Sequence, residues 1–257
     1  MTLYAYLPCY NEEANITPLI EAWNQQRSAL LELNVDLVII GIDDCSSDGT
    51  KDCVLRMAER YDNVRLISHE TNKGLVGGLN TAVTDFYKHN EPDSLMALMD
   101  GDNTHDPKFI IPMILKMREK SVDCVIASRY ANNADVVGVA KNREFLSDMA
   151  KHYYKIMLSV PNVQDYTCGY RLYDFEVISN LIKQYGSEPI KEQSFACMME
   201  LLYKIYRVGA KFDEVGFTLR YDLKQGDSKM RVMKTVIKSL TTAPKLRFSR
   251  KLKGTVK

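Results

Sequence analysis

Between Leu3 and Ala127 short apolar runs alternate with segments whose apolar residues recur at helical spacing, and that alternation leaves few folds open. Residues 3–7, 35–42, 64–68, 94–99 and 122–127 read as strands. Residues 14–33, 48–61, 75–88 and 108–120 read as helices, the first carrying Ile16, Leu19, Ile20, Trp23, Leu30 and Leu31. Strands that are apolar throughout are buried on both faces, so the pattern predicts an α/β fold with a mostly parallel central sheet covered by helices on both faces. Ligands of such sheets bind beyond the carboxyl ends of the strands. Residues 8–12, 43–48 and 100–102 all fall there.

After Tyr130 the pattern changes to a loop, a helix over 142–158, a turn at 165–169 and a strand at 170–173. Helices at 175–185 and 192–208, a strand at 212–221 and a last helix at 232–240 complete it. No internal repeat or low-complexity linker divides the chain, so one domain over residues 1–240 is expected, in two functional halves, 1–130 and 131–240. Of the 34 Lys and Arg residues, ten fall within 229–257, which has no acid, leaving 24 against 33 Asp and Glu before it. That basic end suits phosphates, nucleic acid or an anionic membrane surface, while residues 245–257 alone read as a solvated tail. The longest apolar stretch, 37–42, is far short of the roughly 18 residues that span a bilayer. The first residues leave no room for a leader segment, so a cytosolic protein is expected. Six scattered cysteines without a CxxC pair argue against a zinc site or a disulfide framework and for reduced, mostly buried thiols.

The run ending at Met99 continues into DGDNTHDP, where Asp100 and Asp102 stand one glycine apart. A carboxylate pair at a strand end suits Mg2+ or Mn2+, which are usually bound by one or two carboxylates plus substrate phosphates. An acidic turn is the plain alternative. At the second strand end Asp43 and Asp44 emerge from an apolar run, with Ser47 or Asp48 able to cap the next helix; one acid is expected to meet a ligand and the other a structural partner. The first strand ends in PCYNEE, a proline stop before a polar helix start. Glycines in NKGLVGGLN let backbone approach a ligand, but neither GxGxxG nor GxxxxGK is present, which argues against dinucleotide and P-loop sites.

In this order, PCYNEE, DDCSSDGT, NKG, DGDNTHDP, SRY and DYTCGYRLY resemble the motifs of family 2 glycosyltransferases of the GT-A (Rossmann-like) fold, over roughly nine tenths of the chain. Within that family the set is most similar to dolichyl-phosphate and polyprenyl-phosphate sugar synthases, here of a type without transmembrane helices. By this resemblance residues 1–130 form the nucleotide-sugar and metal half and 131–240 the acceptor half, with 241–257 a basic tail. Pro8, Tyr10 and Glu12 match the nucleotide pocket, and Asp44 the acid that contacts the base. Asp100 and Asp102 match the DxD pair that holds the metal with the donor diphosphate, and Thr104 falls where some members place a third oxygen ligand. Arg129 matches an arginine near the sugar or acceptor phosphate, and Arg143 a phosphate-binding position. Arg220, Ser228 and Lys229, in RYDLKQGDSKM, match the segment that closes over donor and acceptor. Two departures stand out: GDSK replaces the family's GESK, and residues 131–140 carry little basic charge for a phosphate-binding loop.

The resemblance implies transfer of a hexose, with mannose from GDP-mannose favoured, to a dolichyl or polyprenyl phosphate. Mg2+ or Mn2+ would be the cofactor, and the enzyme would sit peripherally on the cytosolic face of a membrane, with small membrane-spanning subunits as candidate partners and no nucleic acid. The chemistry is coherent on its own terms. A cation or basic side chains such as Lys229 and Arg220 stabilise the leaving diphosphate. A lipid phosphate is already anionic and needs only positioning by arginines, and in-line attack inverts the anomeric carbon. A soluble enzyme extending a glycan at a hydroxyl would instead need a base such as Asp165 or Glu200. A non-catalytic nucleotide- or membrane-binding subunit is the reading from another class.

Other residues carry plainer readings. His105 is a helix-entry side chain or a site residue, and His69, His89 and His152 are surface or core histidines. Asp165 divides between a turn role and acceptor contact, and Glu200 is expected to be a buried structural acid. Phe145, Leu146, Met149, Tyr153, Ile156 and Met157 form a stripe that core packing or an interfacial role would explain.

Overall fold

A computed structural model describes residues 1–138, 141–220 and 232–249, with side chains described except at 141–147 and 232–239. The first half alternates as the apolar runs predict: β1 (Thr2–Cys9), α1 (Glu13–Gln25), α2 (Arg27–Glu32), β2 (Asp36–Asp43), α3 (Thr50–Arg60), β3 (Val64–Ser68), α4 (Gly74–His89), β4 (Leu95–Leu98), α5 (Ile110–Lys120) and β5 (Cys124–Ser128). Then come β6 (Asp135–Val137), α6 (Lys141–Leu158), β7 (Arg171–Asp174), α7 (Phe175–Tyr185), α8 (Cys197–Arg207), β8 (Phe212–Gly216), β9 (Thr218–Arg220) and α9 (Val232–Phe248). Seven strands form one sheet in the order β3-β2-β1-β4-β7-β5-β8, all parallel except β7, which runs antiparallel to both neighbours. β6 and β9 make a separate two-stranded parallel pair.

The central strands are apolar on both sides because helices cover both faces: Leu3, Tyr6, Ile39, Ala97, Ile126 and Leu172 are all fully buried, with Trp23 of α1 among them. β7 is the element that sequence pattern did not orient. Its register pairs Leu98 with Arg171, so the residues just before β7 lie beside the residues just after β4. A segment some 70 residues downstream is thereby brought to the carboxyl end of the parallel strands.

Four expected spans change, each for a local reason. Residues 14–33 break into two helices at Gln26, whose side chain donates to the Ala22 carbonyl while its own N–H goes to Trp23. The helix expected from 192 starts at Cys197, because the Glu200 carboxylate takes the N–H groups of Lys191 and Glu192. The strand expected over 212–221 divides at Phe217: β8 stays beside β5, and β9 leaves to pair with β6. The last helix runs to Phe248, eight residues past its expected end at 240 and through Pro244. A proline inside a helix lacks the N–H that the carbonyl four residues earlier needs, and here the Tyr153 hydroxyl donates to that Leu240 carbonyl at 2.6 Å. Ala243 and Leu246 are buried in the same helix, so the basic end is not a free tail up to Phe248.

On α6 the core side also differs from the expected stripe. Tyr154 and Leu158 are buried, whereas Met149 and Ile156 are 57% and 77% exposed. Phe145 and Leu146 lie outside the described side chains.

Candidate active site

One cavity of about 430 Å3 opens at the carboxyl ends of β1, β2 and β4. Pro8 near the end of β1 lines it, Tyr10 and Glu12 follow β1 into it, Asp44 follows β2, Asp100, Asp102 and Thr104 follow β4, and Arg129 follows β5. These expected site residues, distant in sequence, are therefore neighbours in space. Arg220 ends β9, where its N–H donates to the Thr104 carbonyl at 3.1 Å and ties the two-stranded pair to the acidic loop. The Arg143 side chain, Ser228 and Lys229 lie outside what the structure describes.

Glu12, Asp43, Asp44 and Asp102 are each held by a local device. Glu12, 9% exposed, accepts from the Asn15 side chain at 2.7 Å, while its N–H donates to Thr50 Oγ1. Of the DD pair, Asp43 is structural, accepting from the Ser46 N–H and the Ser68 hydroxyl. Asp44 faces the cavity and accepts from His69 Nδ1 and the N–H groups of Lys73 and Gly74. Asp102 Oδ1 accepts from Thr104 N–H and, at 2.7 Å, from Thr104 Oγ1. The chain between the two acids crosses β1 closely: a Cβ on Gly101 would come within 2.9 Å of the Pro8 carbonyl and the Cys9 side chain.

Asp165 is no cavity residue. It is fully buried and takes Arg129 through two oxygens, at 2.8 Å from Nε and 2.7 Å from Nη2, with the N–H groups of Arg129, Thr167 and Cys168 as further donors. Burial pushes its carboxyl up, but the Arg129 guanidinium and this set of donors outweigh burial and hold it at about 2. Glu200 is likewise committed, to Lys204 at 2.6 Å and two backbone N–H groups. His105 does line the cavity, buried between Thr104 Oγ1 and Cys168 Sγ and stacked on Phe217.

The described lining thus carries four carboxylates, Glu12, Asp44, Asp100 and Asp102, and its one arginine, Arg129, already has its charge matched by Asp165. A polyanionic ligand would meet net negative charge there unless a cation accompanies it. The oxygen donors of Asp100 and Asp102 suit a hard divalent ion. Among the described residues no group of three or more His, Cys, Asp or Glu could hold a metal alone, so ligand phosphates and water would have to complete the shell, as is usual for Mg2+.

Sequence reasoning missed Gly169, Cys168, Phe195 and Leu219, which also line the cavity. Only Gly169 had a readable signal, the glycine of DYTCGYRLY, and without the direction of β7 nothing placed it opposite Asp100. A Cβ on Gly169 would lie 2.6 Å from Asp100 Oδ2 and 2.9 Å from its Cγ. Gly169→Ala is therefore expected to turn the Asp100 carboxylate away. Mn2+ affinity should drop about tenfold or more, a coordination change worth at least ~1.4 kcal/mol, while the melting temperature stays nearly constant. A metal titration beside a thermal melt checks this.

A mostly parallel sheet with an antiparallel strand inserted near its centre, and an acid-lined cavity at the strand ends, is the GT-A glycosyltransferase architecture. It is shared with a mannosyltransferase from Pyrobaculum calidifontis solved in complex with GDP-Man and Mn2+, at a TM-score of 0.57 and 16% identity, over 96% of this chain and 70% of that one. The chain belongs to glycosyl transferase family 2, whose sequence model matches residues 4–182, and it is a glycosyltransferase. Two curated relatives are each 27% identical: an undecaprenyl-phosphate mannosyltransferase of Micrococcus luteus, over 90% of this chain and 88% of the relative, and a polyprenol monophosphomannose synthase of Mycolicibacterium smegmatis, over 87% and 79%.

Proposed function

We propose that the protein transfers mannose from GDP-mannose to a polyprenyl phosphate, with inversion at the anomeric carbon, on a membrane surface. The observation that carries this reading is the convergence of Glu12, Asp44, Asp100 and Asp102 on one cavity whose described lining offers no unmatched arginine or lysine. Such a wall accepts a diphosphate only with a divalent cation, Mg2+ or Mn2+, held by Asp100 and Asp102 with Thr104 beside them. When bound, the ion would stabilise negative charge on the departing diphosphate. The mannosyl identity and the lipid acceptor rest on the two relatives; the GDP donor and metal are supported by the ligands of the Pyrobaculum enzyme.

The chain's own residues supply binding and orientation. Asp44 accepts an N–H of the base, and Pro8, Tyr10 and Glu12 wall the nucleoside. Arg129, fixed through Nε and Nη2, keeps Nη1 for a phosphate oxygen of the acceptor. The acceptor oxygen bonds to the anomeric carbon as the bond to the diphosphate breaks, and no proton has to be removed. Acceptance at a hydroxyl would require a base, and both acids considered for it, Asp165 and Glu200, lie outside the cavity lining and are already paired. Arg220, Lys229, Ser228 and Arg143 complete the proposed phosphate-binding set.

Membrane contact has support from the paired helices α6 and α9. They are joined by the Tyr153 hydroxyl and by Arg247, which donates to the Leu158 carbonyl at 3.3 Å. Met149, Ile156, Leu240 and Phe248 are exposed on this pair, together with Lys155, Lys245 and Arg247. Exposed apolar groups among basic ones suit an anionic lipid surface, and among the described residues no helix is long and apolar enough to cross a membrane.

The test is incubation with Mn2+ and a panel of radiolabelled nucleotide sugars, with and without a short polyprenyl phosphate. Label should enter organic solvent only with GDP-mannose, metal and lipid phosphate together. Label reaching a water-soluble glycan instead overturns the acceptor.

A further inference from the structure

His69 has no role in the chemistry above, yet its position is too well specified for a passive core residue. It lies one residue beyond β3, and the parallel register that pairs Asp43 with Ser68 sets it level with Asp44. Its N–H continues the ladder to the Asp43 carbonyl at 2.9 Å. Only 8% of the residue is exposed. Its Nδ1 lies 2.7 Å from Asp44 Oδ1 and its Nε2 2.8 Å from the Thr81 hydroxyl on α4. For the neutral ring the network assigns the tautomer: the carboxylate can only accept, so Nδ1 carries the proton and Nε2 accepts from Thr81.

Asp44 is gripped from a second side. The N–H groups of Lys73 and Gly74 donate to Oδ1 and Oδ2, each at 2.8 Å. Lys73 is in the right-handed region and Gly74 at φ +69°, the pairing that turns two successive N–H groups toward one anion. An ionised carboxylate has about four acceptor sites. Oδ1 uses two of them and Oδ2 one, which leaves a single site on Oδ2 for a ligand in the cavity.

We infer that His69 is a positioning residue for the nucleobase subsite: it saturates Asp44 Oδ1, on a carboxylate that the Lys73 and Gly74 N–H groups already orient, so that the one Oδ2 acceptor site left meets an N–H of the base. This rests on the proposed contact between Asp44 and the base. Thr81 acts behind it by fixing the ring. Without the imidazole the backbone donors still hold both oxygens of Asp44, but an acceptor site opens on Oδ1, and the base N–H is no longer directed to Oδ2 alone. The effect belongs to nucleotide binding and not to the transfer step.

The experiment measures GDP and Mn2+ affinity by calorimetry for the full chain and for Asp44→Asn, His69→Leu, His69→Asn, Thr81→Val and the Asp44→Asn/His69→Leu double variant, with thermal melts alongside. The expected result is about tenfold weaker GDP binding in both Asp44→Asn and His69→Leu, and little further loss in the double variant, because the two act through one contact. His69→Asn, whose amide nitrogen can replace Nδ1, should recover most of the affinity. Mn2+ binding without nucleotide should be unchanged, and the donor KM should rise while kcat at saturation does not. GDP binding within twofold of wild type in His69→Leu, with Asp44→Asn weakened, overturns the role of His69 and leaves the base subsite standing. No weakening in Asp44→Asn removes Asp44 from the base and the inference with it. Should His69→Leu fail to fold, Thr81→Val decides: a loss of about threefold in GDP binding supports the inference, and none overturns it.

Discussion

Asp102→Asn is expected to lower transfer by about a thousandfold while leaving the fold intact. Asparagine keeps an oxygen for the Thr104 N–H and hydroxyl, the two contacts that shape this loop, and Asp102 is only half-buried, so the melting temperature should hold. What disappears is one of the two negative charges proposed to hold the cation, and removing a group that stabilises charge developing at the leaving atom costs about 10²–10³ in rate, more when a bound ion goes with it. Measured over a Mn2+ series at saturating GDP-mannose, the proposed donor, the variant should show its loss mainly as a raised metal requirement. Turnover equal to wild type would take the metal away from this pair.

The second large effect is on stability. Asp165→Ala should destabilise the protein by about 3–5 kcal/mol, the usual consequence of leaving a buried charge without its partner. Arg129 would lose both carboxylate contacts, and three backbone N–H groups would lose their acceptor. Removing Arg129 as well, in Arg129→Met/Asp165→Ala, should recover part of the loss, since the uncompensated charge goes with it. The pair also predicts an acid response. The folded carboxyl titrates at about 2 against its ordinary 3.8, so the folded state binds fewer protons than the unfolded chain between these values. The contribution is complete above pH ~4–5 and is lost as pH falls toward 2. Urea unfolding at stepped pH should show wild type converging on the double variant over that window.

Much of the fold was legible because the informative patterns are local. Residues 35–42 declare a doubly covered strand by composition alone, and DGDNTHDP marks a strand end by the abruptness of its polarity change. The direction of β7 was not legible. Four residues, three of them buried, fit either direction equally well, and only the pairing with β4 and β5 decides. The same gap hid Gly169. Partnerships across the chain were equally silent: nothing near Arg129 points to Asp165, and nothing near Asp44 points to His69, because sheet register and not sequence spacing makes those pairs. Phe195 reads as one apolar residue in a helix until Glu200 is seen to capture the backbone before it.

The inserted strand also bears on how the protein comes into being on the ribosome. While residues after 130 are still to be made, β4 and β5 have both been synthesised, but the strand that fills the gap between them has not. Each then presents an apolar edge with unpaired backbone groups, the arrangement that recruits strands from other molecules. The family match itself runs to residue 182, past the inserted strand. A gene fragment stopping near residue 130 is therefore expected to aggregate rather than to stand as a small nucleotide-binding protein, and a graft or exchange of the halves should carry residues 165–174 with the first.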